Sequence, residues 1–362
     1  MKFGKKALLV VLSVIIIFSL IGCRDETETI DGDELVEEEK QEQELVSLED
    51  HPYYNYQERE LDGDQFEALL EVANTYLQDS YQDSITPREV YEKAVLNPDP
   101  DYYLVDLRGL DDFAEASVIG SVNMPYDSIW ERHQIEKLPR DKKIIIVCYT
   151  GHTANQAAAF WGMLGFDTVA MENGFAGWDA SVECDPEDYE LATEPTEATE
   201  RFDLPQIEQD VTTIDELIME QGRRIVDDNI SPIMRYDFVK RFVIDRGSAR
   251  HFAVDLRDSD LYEKGHGEGA INIPFKELTD PDNLEKLPTD KDIVLICSDG
   301  YKSSQAARIL NILGYEALAS QFGMSKWTAD EEVIGDQPVI CREVADYPTV
   351  ETRIETPETE AG

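Results

Sequence analysis

The sequence predicts an α/β protein made of two copies of one domain, each a parallel sheet flanked by helices. Three observations carry that expectation. A β-branched run, Ile144-Ile145-Ile146-Val147, ends on Cys148, passes Gly151 and enters an Ala-rich helical stretch from Ala154 to Phe160. Such a run reads as a strand buried on both faces, the habit of parallel sheets. The pattern then recurs. Ile293-Val294-Leu295-Ile296-Cys297 leads through Gly300 into a helical stretch at Ser304–Leu310, and Cys148 and Cys297 stand 149 residues apart. Asp106 and Asp255, Pro125 and Pro274, Gly165 and Gly314, and Trp178 and Trp327 keep the same spacing, which marks an internal duplication. Finally, strand and helix patterns alternate through each copy, as in helix-covered parallel sheets.

Residues 1–23 stand apart from the fold. Lys2, Lys5 and Lys6 form a basic start, Ala7 to Leu20 an apolar stretch, and Leu20-Ile21-Gly22-Cys23 a small-residue cleavage site. This resembles a bacterial lipoprotein signal, which implies lipidation of Cys23 and a membrane-held chain in the cell envelope, outside the cytoplasm. The apolar stretch to Gly22 is shorter than the roughly 20 residues that span a bilayer. Residues 24–60 are dominated by Asp, Glu and Gln and read as an extended acidic tether.

The first copy is expected over 64–184. It opens with helical spacing of Phe66, Leu69, Leu70, Ala73 and Leu77, followed by a second helix capped by Thr86 with Pro87 at its first position. The stretches 185–211 and 342–362 are rich in Glu, Thr and Pro and read as a linker and a disordered tail. The second copy is expected over 212–341, beginning with Ile214, Leu217 and Ile218 and then Ser231-Pro232.

Apolar residues make up 42% of the chain, enough for two cores. The formal charge of −45 argues against nucleic acid as a partner, because phosphate binding needs basic surface.

Cys148 and Cys297 are the candidate nucleophiles. Each ends a buried strand, where open α/β sheets place their ligands. The following turn aims backbone N–H groups and a helix's positive end at the sulfur. Such a setting favours a thiolate and holds an anion. Gly151 and Gly300 let the backbone turn inward.

Both copies resemble rhodanese domains, the sulfurtransferase family. Copy one carries Val105-Asp106-Leu107-Arg108, Gly120-Ser121-Val122-Asn123-Met124-Pro125, the Cys148 loop, and Asn173-Gly174 ahead of Trp178. Copy two carries Val254-Asp255-Leu256-Arg257, Gly269-Ala270-Ile271-Asn272-Ile273-Pro274, the Cys297 loop, and Phe322-Gly323 ahead of Trp327. The resemblance implies a parallel five-stranded sheet flanked by helices in each copy. It also implies a cysteine that takes sulfane sulfur from a small donor such as thiosulfate, mercaptopyruvate or a persulfide, and passes it to a thiol acceptor. No cofactor is implied.

The substrate-binding loops would be Tyr149, Thr150, Gly151, His152 and Thr153 in copy one, and Ser298, Asp299, Gly300, Tyr301, Lys302 and Ser303 in copy two. Copy one is similar to the Cys-x-x-Gly-x-Thr-Ala loop of two-domain members and lacks the arginine that closes the loop in many single-domain ones. His152 is expected to lend partial positive charge, and the hydroxyls of Tyr149 and Thr153 to donate hydrogen bonds. Copy two is closer to the single-domain form, but Asp299 is expected to raise its thiol pKa and repel anionic donors. Two-domain relatives usually keep the nucleophile only in the C-terminal copy, whereas both cysteines remain here.

Asp106 with Arg108, and Asp255 with Arg257, read as structural pairs that support the loops, and Trp178 and Trp327 as core anchors. No His/Cys/Asp cluster has metal-ligand spacing. Cys184 and Cys341 are free thiols or, outside the cytoplasm, partners in a disulfide. Two other function classes compete with catalysis. A non-catalytic sulfur carrier or scaffold fits the acidic charge and Asp299. A phosphatase of the related Cys-x5-Arg type needs a loop arginine that neither copy has.

Overall fold

The computed structural model describes residues 57–179, 185–227, 233–335 and 345–352. The expected leader, with Cys23, falls outside these residues, as do Cys184 and Cys341. In the first copy, strands β1 (Tyr102–Asp106), β2 (Val122–Asn123), β3 (Lys143–Val147) and β4 (Thr168–Ala170) form a parallel sheet in the order β2-β1-β3-β4. A single parallel bridge from Ile85 to Met171 extends its β4 edge. In the second copy, β5 (Ile233–Met234), β6 (His251–Asp255), β7 (Ile271–Asn272), β8 (Asp292–Ile296) and β9 (Ala317–Ser320) are parallel in the order β5-β9-β8-β6-β7. The topology is therefore repeated, and the bridge occupies the place of β5. Ile144 to Val147 and Ile293 to Ile296 are fully buried, as central strands of helix-covered sheets require.

Four helices join the copies: α1 (Gln65–Thr75), α2 (His152–Met163), α3 (Ile214–Asp227) and α4 (Tyr301–Ile312). Helices α2 and α4, which follow the two cysteine loops, pack against each other. All but one residue of each is buried, which explains why Ala, Phe and Trp surround α2 instead of forming one stripe. The polar residues on the shared face find partners across it. Gln305 donates to Asn155 Oδ1 at 2.8 Å, and Arg308 donates to Gln156 Oε1 at 3.0 Å and to the Tyr126 hydroxyl at 2.6 Å.

The leading helices also lie in this seam. Gly162 leaves a notch filled by the Tyr76 ring, which a Cβ there would approach to 2.2 Å. Tyr76 then donates its hydroxyl to Gln305 of the other copy. In the opposite direction α3 reaches the first copy, where Gly222 faces Phe160 and Trp130. Buried apolar residues of both copies thus merge into one core.

Three acidic segments depart from the sequence expectation. The tether was expected to run to residue 60, yet Arg59 pairs with Asp215 at 2.6 Å and Glu60 bridges Thr213. The linker lies along the second copy: Glu187 N–H donates to the Lys326 carbonyl, Tyr189 N–H to that of Trp327, and Ala192 bridges His266. The tail, expected to be disordered, returns to the first copy over 345–352. Thr349–Val350 pairs antiparallel with Ser117–Val118, and Tyr347 stacks on Tyr91 at 4.4 Å while its amide donates to the Trp178 carbonyl. In each case a few anchoring contacts outweigh a composition that by itself favours disorder.

Candidate functional site

Each cysteine sits at the carboxyl end of the central strand, with the sulfur in a ring of main-chain amides. Cys148 Sγ accepts from Gly151 N at 3.1 Å and Ala154 N at 3.3 Å. Cys297 Sγ accepts from Gly300 N at 3.1 Å and Ser303 N at 3.3 Å. The turn depends on glycine at φ 89° and 91°, in the left-handed region. Gly174 and Gly323 permit the next close approach: a Cβ would lie 2.3 Å from the Cys148 carbonyl oxygen and 2.1 Å from that of Cys297.

The floor of each loop is fixed by an ion pair. Arg108 Nη2 meets Asp106 Oδ2 at 2.7 Å and also donates to the Ala116 carbonyl. Arg257 Nη2 meets Asp255 Oδ2 at 2.6 Å and also donates to the Gly265 carbonyl, while its Nη1 donates to that of Val333. All four side chains are buried and each carboxylate is held at both oxygens, so these pairs position the backbone beside the cysteine. Trp178 and Trp327 are fully buried in their copies' cores.

The thiols are similar in burial, at 2% exposure each, but not in electrostatics. Burial raises the Cys148 pKa, opposed by the Thr153 hydroxyl and by the amides of Ala154, Thr150 and Gly151. Cys297 is pushed up to about 12, by burial first and then by the charge of Asp299. Its Sγ lies 3.4 Å from both Asp299 Oδ1 and Ser303 Oγ. Asp299 is itself raised by burial, although the Tyr301 amide donates to its Oδ1 at 2.9 Å.

His152 does not supply the positive charge expected of it. It is fully buried, and burial lowers its pKa to about 4. Its Nε2 accepts from Phe322 N at 2.9 Å, which places the ring proton on Nδ1, 3.1 Å from the Thr150 hydroxyl. Tyr301, at the matching position of copy two, also turns away from its own cysteine and accepts from Asn173 N at 2.7 Å. Tyr149 is 50% exposed; its hydroxyl accepts from Gly109 N and donates to Asp112, not to Cys148.

Cys297, Ser298, Asp299 and Lys302 line a cleft of about 660 Å³. Tyr81, Asp83 and Lys276 also line it, and sequence reading missed all three. Tyr81 and Asp83 belong to the first copy, more than two hundred residues before Cys297, and no motif pairs them with the loop. Asn173 and Phe322 stand in the repeated motifs, but nothing in those motifs signals that their amides bond the other copy's loop.

The rhodanese-like domain profile matches residues 86–181 and 241–330. The chain belongs to the rhodanese family. A thiosulfate sulfurtransferase of Escherichia coli is 35% identical over 78 residues, 21% of this chain and 73% of that protein. An HTH-type transcriptional regulator of Mycobacterium tuberculosis is 41% identical over 76 residues, 20% of this chain. The rhodanese chain covers only 33% of the regulator's length. A thiosulfate sulfurtransferase structure from Pseudomonas aeruginosa is 16% identical, covering 75% of this chain and 50% of its own, at a TM-score of 0.26. Among the described residues, no helix of this rhodanese is long and apolar enough to cross a membrane.

Proposed function

We propose that this protein moves sulfane sulfur from a small donor to a thiol acceptor through a persulfide on Cys297, while Cys23 anchors it by lipid outside the cytoplasm. The membrane part of this reading is supported by the leader pattern of residues 1–23. The catalytic part is carried by one observation: Cys297 combines an amide-ringed sulfur with a cleft large enough for a substrate. In the first step the Cys297 sulfur attacks the donor's outer sulfur. A new S–S bond forms, the donor's own bond to that sulfur breaks, and the remainder of the donor leaves with the electron pair. An acceptor thiolate then attacks the outer sulfur and returns Cys297 to its starting form. Gly300 N and Ser303 N hold the negative charge that passes over the sulfur in both steps.

The test is incubation of the reduced full chain with thiosulfate, mercaptopyruvate or a persulfide, read by intact and peptide mass. A gain of about 32 Da, one sulfur, is expected on Cys297. It should survive Cys148→Ser and vanish in Cys297→Ser. Absence of the adduct with every donor overturns the reading.

A second reading, a non-catalytic sulfur carrier or scaffold, is favoured by the burial that raises both thiol pKa values. It requires that Cys148→Ser and Cys297→Ser leave the cellular phenotype intact.

A further inference from the structure

We propose that the Cys297 cleft selects a dipolar donor, the persulfide of an amino acid or short peptide carrying both a carboxylate and an ammonium group. This rests on the sulfurtransferase reading of Cys297 and names its substrate class.

The cleft has two walls of different charge. On one, the Lys276 Nζ lies 4.5 Å from the Tyr81 ring centroid, Tyr81 packs on Phe275 at 4.9 Å, and Lys302 Nζ lies 3.8 Å from Asp83 Oδ1. This wall joins the two copies and presents two ammonium groups with one carboxylate. The other wall is made by two short helices, Ser259–Lys264 and Glu331–Ile334, held together by Leu261 against Gly335 and Val333 against Gly265. It offers Asp258, Asp260, Glu331 and Glu332 against Lys264 and Arg257, the latter already paired with Asp255. Cys297 lines the same cleft, with Ser298 anchored to the second wall by a bond to the Ile334 carbonyl.

Size and charge both disfavour a small dianion. A volume of about 660 Å³ far exceeds what an inorganic anion fills. Asp299, 3.4 Å from the sulfur, repels a second negative charge brought to that point. A dipolar persulfide instead places its carboxylate toward Lys302 and Lys276 and its ammonium toward Asp260 and Glu332, leaving its terminal sulfur for Cys297. The step balances without an oxidant. The Cys297 Sγ–H proton passes to Asp299, Sγ bonds to the terminal sulfur, the donor's S–S bond breaks, and its thiolate leaves and takes the proton back from Asp299.

Three persulfides that differ in which charged groups they carry test this on the full chain: those of cysteine, 3-mercaptopropionate and cysteamine. Loading of Cys297 is followed by peptide mass. Cysteine persulfide is expected to show a kcat/KM about tenfold above both others, the effect of about two modest charge contacts. Asp260→Asn with Glu332→Gln should cut loading by cysteine and cysteamine persulfides about fivefold, mainly through KM, and raise loading by the mercaptopropionate form. Lys302→Gln should weaken the two carboxylate-bearing donors and spare cysteamine persulfide. Equal loading by all three donors, or variants that change all three alike, overturns the proposal while leaving the sulfurtransferase reading standing. No loading by any donor overturns both.

Discussion

The Tyr301 hydroxyl accepts a hydrogen bond from the Asn173 amide at 2.7 Å, tying the second cysteine loop to the turn that supports the first. The relation is reciprocal. His152, at the same place in the other loop, accepts from the Phe322 amide at 2.9 Å. Each side chain also packs against the other loop's glycine: a Cβ at Gly151 would lie 2.8 Å from the Tyr301 ring, and one at Gly300 would lie 2.6 Å from His152 Nε2. The two loops are thus built back to back.

Tyr301→Phe leaves the buried Asn173 amide without its acceptor at almost unchanged shape. A loss of about 1–3 kcal/mol is expected, the cost of an orphaned buried donor. A lower urea midpoint at unchanged slope would register it. No change in midpoint would mean that the bond contributes nothing net.

Acid should weaken the fold through His152. Its pKa falls from 6.5 to about 4 on folding, so between those values the unfolded chain binds a proton that the folded chain does not. Stability therefore falls as pH drops from about 6.5 to about 4 and levels off below, by up to about 3 kcal/mol from this group. Urea titrations at several pH values would show the slope. His152→Gln should flatten it, and an unchanged slope would assign the acid lability to other groups.

Asp299→Asn removes the charge that helps hold the Cys297 thiol protonated. The thiol pKa should fall, while burial keeps it above the ordinary cysteine value. Each unit of fall raises the thiolate fraction about tenfold at a fixed lower pH. The pH profile of iodoacetamide labelling at Cys297, resolved by peptide mass, reports the shift. A profile that stays in place would mean that Asp299 does not act on the sulfur electrostatically.

Tyr347→Ala strips the aromatic that stacks on Tyr91 and packs 4.9 Å from the Trp178 ring. About 1–3 kcal/mol should be lost from the first copy. Trp178 fluorescence should shift to the red as water reaches the ring. An unaltered spectrum and midpoint would mean that the returning tail adds no stability.

The repeated strand, loop and helix were legible because their signals are local: a β-branched run, a cysteine, a glycine that must take positive φ, and a spacing kept over the whole repeat. The seam was not. Helix α2 reads as an Ala-rich helix, but nothing in that sequence states that it is buried on nearly all sides or that its partner is α4. His152 was read as a charge because a histidine beside an anion loop suits that role, and only the packing against Phe322 shows it to be neutral. Tyr81 and Asp83 reach the Cys297 cleft through the way the two copies meet, which no short motif encodes. The tail was misread because its composition outvoted one tyrosine and one proline carbonyl, which, both bound at Trp178, help the strand pairing at Thr349–Val350 to seat it.

The pairing of Thr349–Val350 with Ser117–Val118 also sets an order of events. A ribosome delivers the first copy long before the residues that cover its Trp178 face, so the half made first is the half finished last. Domain-by-domain maturation from the N-terminus, the usual course for a tandem protein, leaves this chain's first copy short of the contacts that residues 345–352 supply. Its early half stays incomplete until residues 345–352 have been made.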